Sequence, residues 1–588
     1  MSKYELLSGN EAIARGAYEA GVKVAAAYPG TPSTEILENI AAYDRIKSQW
    51  APNEKVALEV AVGASIAGAR SLAAMKHVGV NVAADPLLTF SYTGVGGGMV
   101  LVSADDPAMH SSQNEQDNRY YGLLAKIPVL EPSDSQEAKN FVMEGLRLSE
   151  EFDTPVILRT TTRVNHSKSL VEIGQPQEIT VKDYEKNPAK YVMTPGNAVG
   201  RHKVVEERRE ALTRFAGSTG LNRVEKGDKK IGFITSGISY QYLKEILPGA
   251  SFLKLGLLWP LNEELIKDFA AGVDRVIVVE ELEPVLETQI KAMGVKVDGK
   301  NLIPRRGELS EETLRDVLAK AGVIPDGPEA SPYVSGQKLP VRPPILCPGC
   351  SHRGMFYTLK NMGLHVSGDI GCYALGSAPP FGVLDTTVCM GASITGAFGM
   401  ELARGDEFAE KCVAVIGDST FFHSGVTGLI DLVYNKGRST VIVLDNSITA
   451  MTGHQDNPGT GKDIKGMPAP QVDIAKLAES IGIKRIRIVD PFDLKGCRQV
   501  LKEELAAPEV SLIIARRPCA LYVKVKNPPF VVDENACIGC KACLRLGCPA
   551  LSVPGKKAAV DPLVCVGCGL CPQVCPKNAI KEAGEQHA

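Results

Sequence analysis

The chain has 588 residues, 44% hydrophobic and 23% charged, with a formal net charge of −3; at about 150 residues per domain, that length suggests roughly four domains. The near-neutral balance gives no electrostatic ground for binding nucleic acid or an anionic membrane surface. No stretch approaches 18 consecutive apolar residues and the N-terminus lacks an apolar signal core, so a cytoplasmic protein is expected.

In chain order, apolar runs alternate with helical stretches, the pattern of a multi-domain α/β protein. The first block, 1–175, opens with a strand in "VKVAAAYPG" (22–30) and a helix in "TPSTEILENIAAY" capped by Thr31 or Ser33. "ALEVAVGASIAGARSLAAM" (57–75) reads as one helix rich in Ala and Gly, and "GGGMVLVSADDPAMHSS" and "TPVILRTTTRV" as strands. Residues 176–229 are charged and weakly periodic, a connector containing a helix. A second α/β block, 230–330, carries strands in "KIGFITSG", "ASFLKLGLLWPLN" and "DRVIVVEEL". Proline-rich 331–350 marks a boundary, 340–520 forms a third α/β block, and a short linker leads into a small α+β tail at 530–588.

In the third block, "CVAVIGDSTFFHSGV" (412–426) is an apolar strand that breaks at Gly417-Asp418-Ser419. A helix follows, then the second buried strand "STVIVLDNS" (439–447). If both strands are parallel, their ends share one sheet edge, and Asp418 and Asn446 become neighbours. One carboxylate, one amide oxygen and one backbone carbonyl over phosphate oxygens suit Mg²⁺. An Asp that merely caps the next helix is the simpler alternative.

Of the fifteen cysteines, eight lie between Cys537 and Cys575, which is not the even density of a secreted disulfide scaffold. The order Cys537-x2-Cys540-x2-Cys543-x4-Cys548-Pro and Cys565-x2-Cys568-x2-Cys571-x3-Cys575-Pro resembles a bacterial two-cluster ferredoxin. By that resemblance one 4Fe–4S cluster takes Cys537, Cys540, Cys543 and Cys575, and the other Cys565, Cys568, Cys571 and Cys548. The first repeat departs from the pattern by one extra residue before Cys548. Zinc knuckles are the competing reading.

Gly-Asp-x followed by Asn resembles the thiamine diphosphate motif, with Ser419 in place of its last glycine. The resemblance implies Mg²⁺ on Asp418, Asn446 and the Ile448 carbonyl, with Gly417 and Ser419 at the diphosphate. "CPGCSHRG" (347–354) and "SGDIGCYALG" (367–376) resemble cofactor loops of 2-oxoacid:ferredoxin oxidoreductases, which makes Cys350, His352, Gly371 and Cys372 cofactor contacts. Read from the residues alone, Cys347, Cys350, Cys372 and His352 could instead hold zinc. Met390 in "VCMGASITG", followed by Gly391, matches the bulky apolar residue that bends thiamine, although a core methionine is as good a reading. Glu59 matches the glutamate that shares a proton with the aminopyrimidine, because a lone carboxylate in a small-residue helix is costly unless it is used; a solvated Glu is the bland alternative. "AYPGTPSTEI" resembles the segment whose Thr, here Thr31, touches substrate.

Taken together, the chain is identified as resembling the large subunits of indolepyruvate:ferredoxin oxidoreductases, within the thiamine diphosphate-dependent 2-oxoacid:ferredoxin oxidoreductase family. "SADDPAMHSSQNEQDNR" (103–119) tilts the resemblance away from the pyruvate enzymes. The pyruvate-enzyme Arg has no evident equivalent, and His110, Gln113 or Asn114 could stand in for it; Thr452 lies in "TAMTG", where those enzymes carry Asn. The resemblance implies two thiamine-type α/β domains (pyrimidine-binding 1–175, diphosphate-binding 340–520), a transketolase-C-like domain at 230–330 and a ferredoxin-like tail. It implies oxidative decarboxylation of aryl 2-oxo acids with CoA, electrons passing through two clusters to an external ferredoxin. A smaller partner subunit would complete a hetero-oligomer. The alternatives are a sister enzyme for pyruvate, 2-oxoglutarate or branched-chain oxo acids, a non-redox thiamine decarboxylase or carboligase with structural clusters, and a pure electron-transfer protein.

Overall fold

The computed structural model describes residues 3–325, 340, 342–525 and 527–583. They form two compact units, 1–338 and 339–588, so most of the proline-rich boundary lies outside the described residues.

The first unit is built on a seven-stranded sheet, ordered Leu257–Trp259, Val129–Leu130, Val156–Thr161, Met99–Asp105, Ser71–Lys76, Val24–Ala27 and Lys47–Trp50. Its pairings are parallel except at Leu257–Trp259. The central strands are buried throughout, as expected for parallel strands covered on both faces. Lys3–Ser8 pairs antiparallel with Lys168–Ile173 and closes the block near residue 175.

The single helix expected over 57–75 is two elements, a helix Glu54–Ile66 and the strand Ser71–Lys76. The break falls at Gly68, whose φ of +92° ends the helix, and whose missing Cβ leaves room for the Lys182 carbonyl oxygen. A run of Ala and Gly carries too little polar contrast to reveal that change of period.

A second sheet orders Arg275–Val279, Asp228–Thr235, Ala250–Lys254 and Arg223–Glu225. The connector holds the expected helix, Pro195–Ala216, but Arg223–Glu225 already belongs to this sheet, and Leu257–Trp259 crosses back to the first one. One buried ion pair, Arg119–Glu280, joins the two sheets, and others tie the first sheet and its loops together. Arg119 binds Asp117 at 2.5 Å and Glu280 at 2.6 Å; Arg159 binds Asp105 at 2.9 Å and also pairs with Glu131.

The second unit carries a parallel five-stranded sheet ordered His365–Ser367, Cys412–Gly417, Thr440–Asp445, Ser511–Arg516 and Arg485–Val489. In its tail Phe530–Val532 pairs with Ile580–Glu582, so the linker ends in a strand. The tail core includes Phe492 and packs Tyr357 and Leu494 from the preceding block. Among the described residues no helix is long and apolar enough to cross a membrane.

Candidate functional site

The parallel register pairs Gly417 with Leu444, so the chain leaves both strands on one sheet edge, as the sequence pattern requires. Asp418 is buried there and accepts from the Ser419 N–H at 2.8 Å. Burial and the neighbouring Asp445 push its carboxyl up to about 8, against the N–H groups of Ser419, Ile448 and Ser447. Asp418 therefore faces the 446–448 turn. Asn446 is also buried, its Oδ1 accepting from the Ile448 N–H at 3.3 Å. An all-oxygen donor set around a carboxylate that is costly to ionise alone fits a hard cation. Ser419 Oγ accepts from Thr449 Oγ1 at 2.9 Å, whereas Thr452 Oγ1 donates to Gln455 at 2.5 Å.

A Cβ on Gly371 or Gly417 would come within 2.4 or 2.5 Å of the Tyr373 ring. A packed aromatic, which the sequence reading did not foresee, thus accounts for both glycines. Met390 is half-buried before the helix Ala392–Arg404. Gly391, at φ +92°, leaves room for Ser424. Its N–H and that of Ser393 donate to Asp369 at 2.9 and 3.0 Å. Asp369 escaped the sequence reading, although it follows the strand His365–Ser367 much as Asp418 follows its own strand.

In the tail, Cys543 lies within electrostatic reach of Cys540 and Cys575, and Cys571 of Cys568, Cys548 and Cys565. Cys575 thus stands beside the first run and Cys548 beside the second, as the crossed pairing implied by the ferredoxin resemblance requires. Cys548, Cys565, Cys568 and Cys571 frame one cavity, which Gly349 and Arg353 also line. The thiols fit 4Fe–4S cubes.

A third set of thiols also converges. Cys350 is near Cys372 and Cys347, and Cys372 is near Cys519, Cys347 and Asp418. Burial pushes the Cys350 thiol up to about 12 and Cys372 up to about 11, so each needs a cation to remain a thiolate. The His352 ring stands apart from these thiols: it is buried, packs edge-on against Tyr373 at 6.0 Å, and burial pushes it down to about 4, while its backbone N–H donates to the Cys350 thiol. Cys519 takes the fourth place, its N–H donating to the Asn446 carbonyl at 3.0 Å. One zinc ion draws its ligands to a point whereas a cube spreads four thiolates over its corners; among the described residues no three such groups converge for a single ion. The signal in sequence was a lone Cys just past the strand Ser511–Arg516.

In the first unit the burial expected of Glu59 is absent. Glu59 is exposed and pairs with Lys55 one turn away, because position 59 falls on the outer face of its helix. Glu54, on the same helix, is 5% exposed. Ser33 holds the N-cap position of Thr34–Ile40 but makes no cap with its side chain, and Thr31 precedes a cis Pro32. Near Thr31, Ser111 Oγ donates to its carbonyl at 3.4 Å. The buried Lys76 donates to the Ser111 carbonyl at 2.7 Å and is pushed down to about 8 by burial, with Asp106 opposing. His110 is exposed and contacts Glu308 at 3.3 Å.

Four family matches tile this architecture. Residues 15–232 match "Pyruvate flavodoxin/ferredoxin oxidoreductase, thiamine diP-bdg" and residues 369–515 match "Thiamine pyrophosphate enzyme, C-terminal TPP binding domain". Residues 223–300 match "Indolepyruvate oxidoreductase domain" and residues 530–583 match "4Fe-4S dicluster domain". The class is thus a thiamine diphosphate-dependent oxidoreductase chain with a 4Fe–4S dicluster domain. Indolepyruvate oxidoreductase subunit IorA of Archaeoglobus fulgidus is 42% identical over 98% of this chain and 97% of its own length. Its Pyrococcus abyssi namesake is 42% identical over 99% and 97%. A solved 2-oxoglutarate:ferredoxin oxidoreductase from Magnetococcus marinus superposes with a TM-score of 0.47 at 19% identity, covering 54% of this chain and 65% of that one. The chain belongs to the indolepyruvate oxidoreductase subunit IorA family.

Proposed function

We propose that this chain, with a smaller partner subunit, oxidatively decarboxylates arylpyruvates, indolepyruvate among them, to the acyl-CoA and CO2, with ferredoxin as electron acceptor. The observation that carries the reading is the sequence of contacts inside the second unit. Asp418 adjoins Cys372, whose thiol set includes Cys347 and Cys350. Gly349, between those two, comes so close to the 565–571 loop that a Cβ would lie 2.5 Å from Val566 and 3.8 Å from Cys568. Cys540, in the last thiol set, is exposed. This succession supports a line of one-electron carriers running from the diphosphate end towards solvent.

Thiamine diphosphate, when bound, supplies the carbanion equivalent and the electron sink for decarboxylation. Asp418, Asn446 and the Ile448 carbonyl would hold its Mg²⁺. Glu54, rather than Glu59, is our candidate for holding and moving the aminopyrimidine proton. Lys76, with Ser111 and Thr31, offers a buried positive charge to a 2-oxo acid carboxylate; no carboxylate among the described residues pairs with it. The three thiol sets would each hold a cluster.

The test is anaerobic ferredoxin reduction by the reconstituted two-subunit enzyme with CoA and each oxo acid. Arylpyruvates should give the highest kcat/KM. Faster turnover of pyruvate, 2-oxoglutarate or a branched-chain acid would overturn the substrate assignment. Cluster absorbance that fails to bleach with any oxo acid would leave a non-redox thiamine enzyme.

A further inference from the structure

Arg353 lies in the first turn of the helix His352–Met362 and is 1% exposed. Its Nη1 donates to the Leu546 carbonyl at 2.5 Å, and its Nη2 to the carbonyls of Leu346 at 2.7 Å and Cys347 at 2.9 Å. Its Nε has no partner among the described residues. Among the described residues no carboxylate pairs with this guanidinium. Three neutral carbonyls solvate a buried cation only in part, and a buried charge is retained where an opposite charge meets it.

The anionic groups around it are thiols. Arg353 lines the cavity framed by Cys548, Cys565, Cys568 and Cys571 and lies within electrostatic reach of Cys568 and Cys350. A 4Fe–4S cube on four thiolates is an anion in both oxidation states, more strongly so when reduced, and nearby charge and hydrogen bonds set its potential. The extra residue before Cys548 gains a purpose here. The short helix Ala542–Leu546 ends at Gly547, φ +60°, and its last carbonyl is the one that accepts from Arg353.

We propose that Arg353 is the counter-charge of the cluster held by Cys548, Cys565, Cys568 and Cys571, and that it raises this cluster's reduction potential. The inference rests on the dicluster reading of the tail. The step concerned is a one-electron reduction with no bond made or broken; the electron comes from the oxo acid and leaves to ferredoxin. Arg353 is a positioning residue for charge, not a group that touches substrate.

The experiment compares wild type, Arg353→Gln and Arg353→Lys as full chains prepared anaerobically, with redox titrations followed by electron paramagnetic resonance and iron and sulfide assays. Arg353→Gln should lower the reduced-to-oxidised ratio of one titrating centre about tenfold at fixed potential, about 59 mV for one electron, with iron content unchanged. Arg353→Lys, which keeps the charge but loses the fork, should stay within about threefold of wild type, well inside that tenfold step. An iron-replete Arg353→Gln with an unmoved midpoint overturns the proposal. If Arg353→Gln loses iron, Arg353→Lys decides: a near wild-type midpoint supports the counter-charge, and a tenfold shift overturns it. A wild-type chain with no 4Fe–4S signal would sink the dicluster reading instead.

Discussion

Exchanging Glu54 and Glu59 separately for Gln decides which carboxylate serves the cofactor. Both sit on the helix Glu54–Ile66. The Glu59 and Lys55 side chains are 44% and 46% exposed, and an exposed pair of that spacing contributes about 0.3–0.5 kcal/mol. Glu59→Gln should therefore cost under about 0.5 kcal/mol of stability and change turnover less than about twofold. A general acid–base group contributes about 10²–10⁴-fold, or about 3–5 kcal/mol of barrier, and Glu54→Gln should lose that much. Gly79 supplies a geometric control. A Cβ there would lie 2.6 Å from both Cγ and Oε1 of Glu54, so Gly79→Ala must displace the carboxyl without altering its chemistry. Overpacking of this kind costs about 1–3 kcal/mol, and turnover should fall at least about tenfold if position is what matters. The assay is exchange of the thiamine C2 proton in loaded protein, followed by magnetic resonance alongside oxo-acid turnover. Wild-type exchange in Glu54→Gln, or a hundredfold loss in Glu59→Gln, refutes the reasoning.

Cys519→Ser should remove about four of roughly twelve irons per chain, since each cube holds four, and slow ferredoxin reduction while the tail clusters remain; a full iron count would dissolve the third thiol set. Glu281 is buried, and burial pushes its carboxyl from 4.5 up to about 7, with Arg159 opposing. A folded-state value above the unfolded one means that its stabilising contribution is complete below about pH 4.5 and lost as pH rises through about 7. Glu281 accepts the Leu309 N–H at 3.1 Å, a bond that Glu281→Gln can keep through its amide oxygen while escaping that loss. Calorimetry should find the variant more stable than wild type at pH 8 by at most about 3 kcal/mol, with most of the gap gone at pH 5. A gap that does not change with pH would show that the Glu281 charge is not the cause.

How much was legible in the sequence depended on whether a signal was local. The Asp418–Asn446 edge was legible because two β-branched strands flank one amphipathic helix, and a parallel crossover leaves a single arrangement of their ends. The crossed tail thiols were legible through the ferredoxin resemblance that their spacing carries. The break at Gly68 was not, because alanine and glycine serve a packed helix and a doubly buried strand equally well. The burial expected of Glu59 failed because amphipathic phase is faint in "EKVALEVAVGASI"; only the fold shows that position 54 turns inward and position 59 outward. "SADDPAMHSSQNEQDNR" tilted the resemblance and offered His110, Gln113 or Asn114 to the substrate, yet Asp105, Asp117 and Arg119 in it are spent on buried ion pairs, of which Arg119–Glu280 reaches the second sheet. Charge in a motif does not declare whether it meets a ligand or another strand.

The third thiol set was invisible for a different reason, and under the proposed function it would change how electrons leave the cofactor. Cys519 stands well over a hundred residues beyond Cys372 in sequence, and only the sheet brings them together. Without it the nearest carriers to Asp418 would be the tail quartets, with no defined approach. With it, Cys372 stands beside the diphosphate end, and the Cys347–Cys350 turn abuts the cavity of the next quartet. Oxidising an oxo acid releases two electrons, while each cube takes one at a time, so the first must move outward before the second can leave. That sequence requires adjacent carriers, and here adjacency depends on a residue with no side chain. Gly349, at φ +68° against Val566, is the one position in the turn where any other residue would both strain the backbone and push the two thiol loops apart.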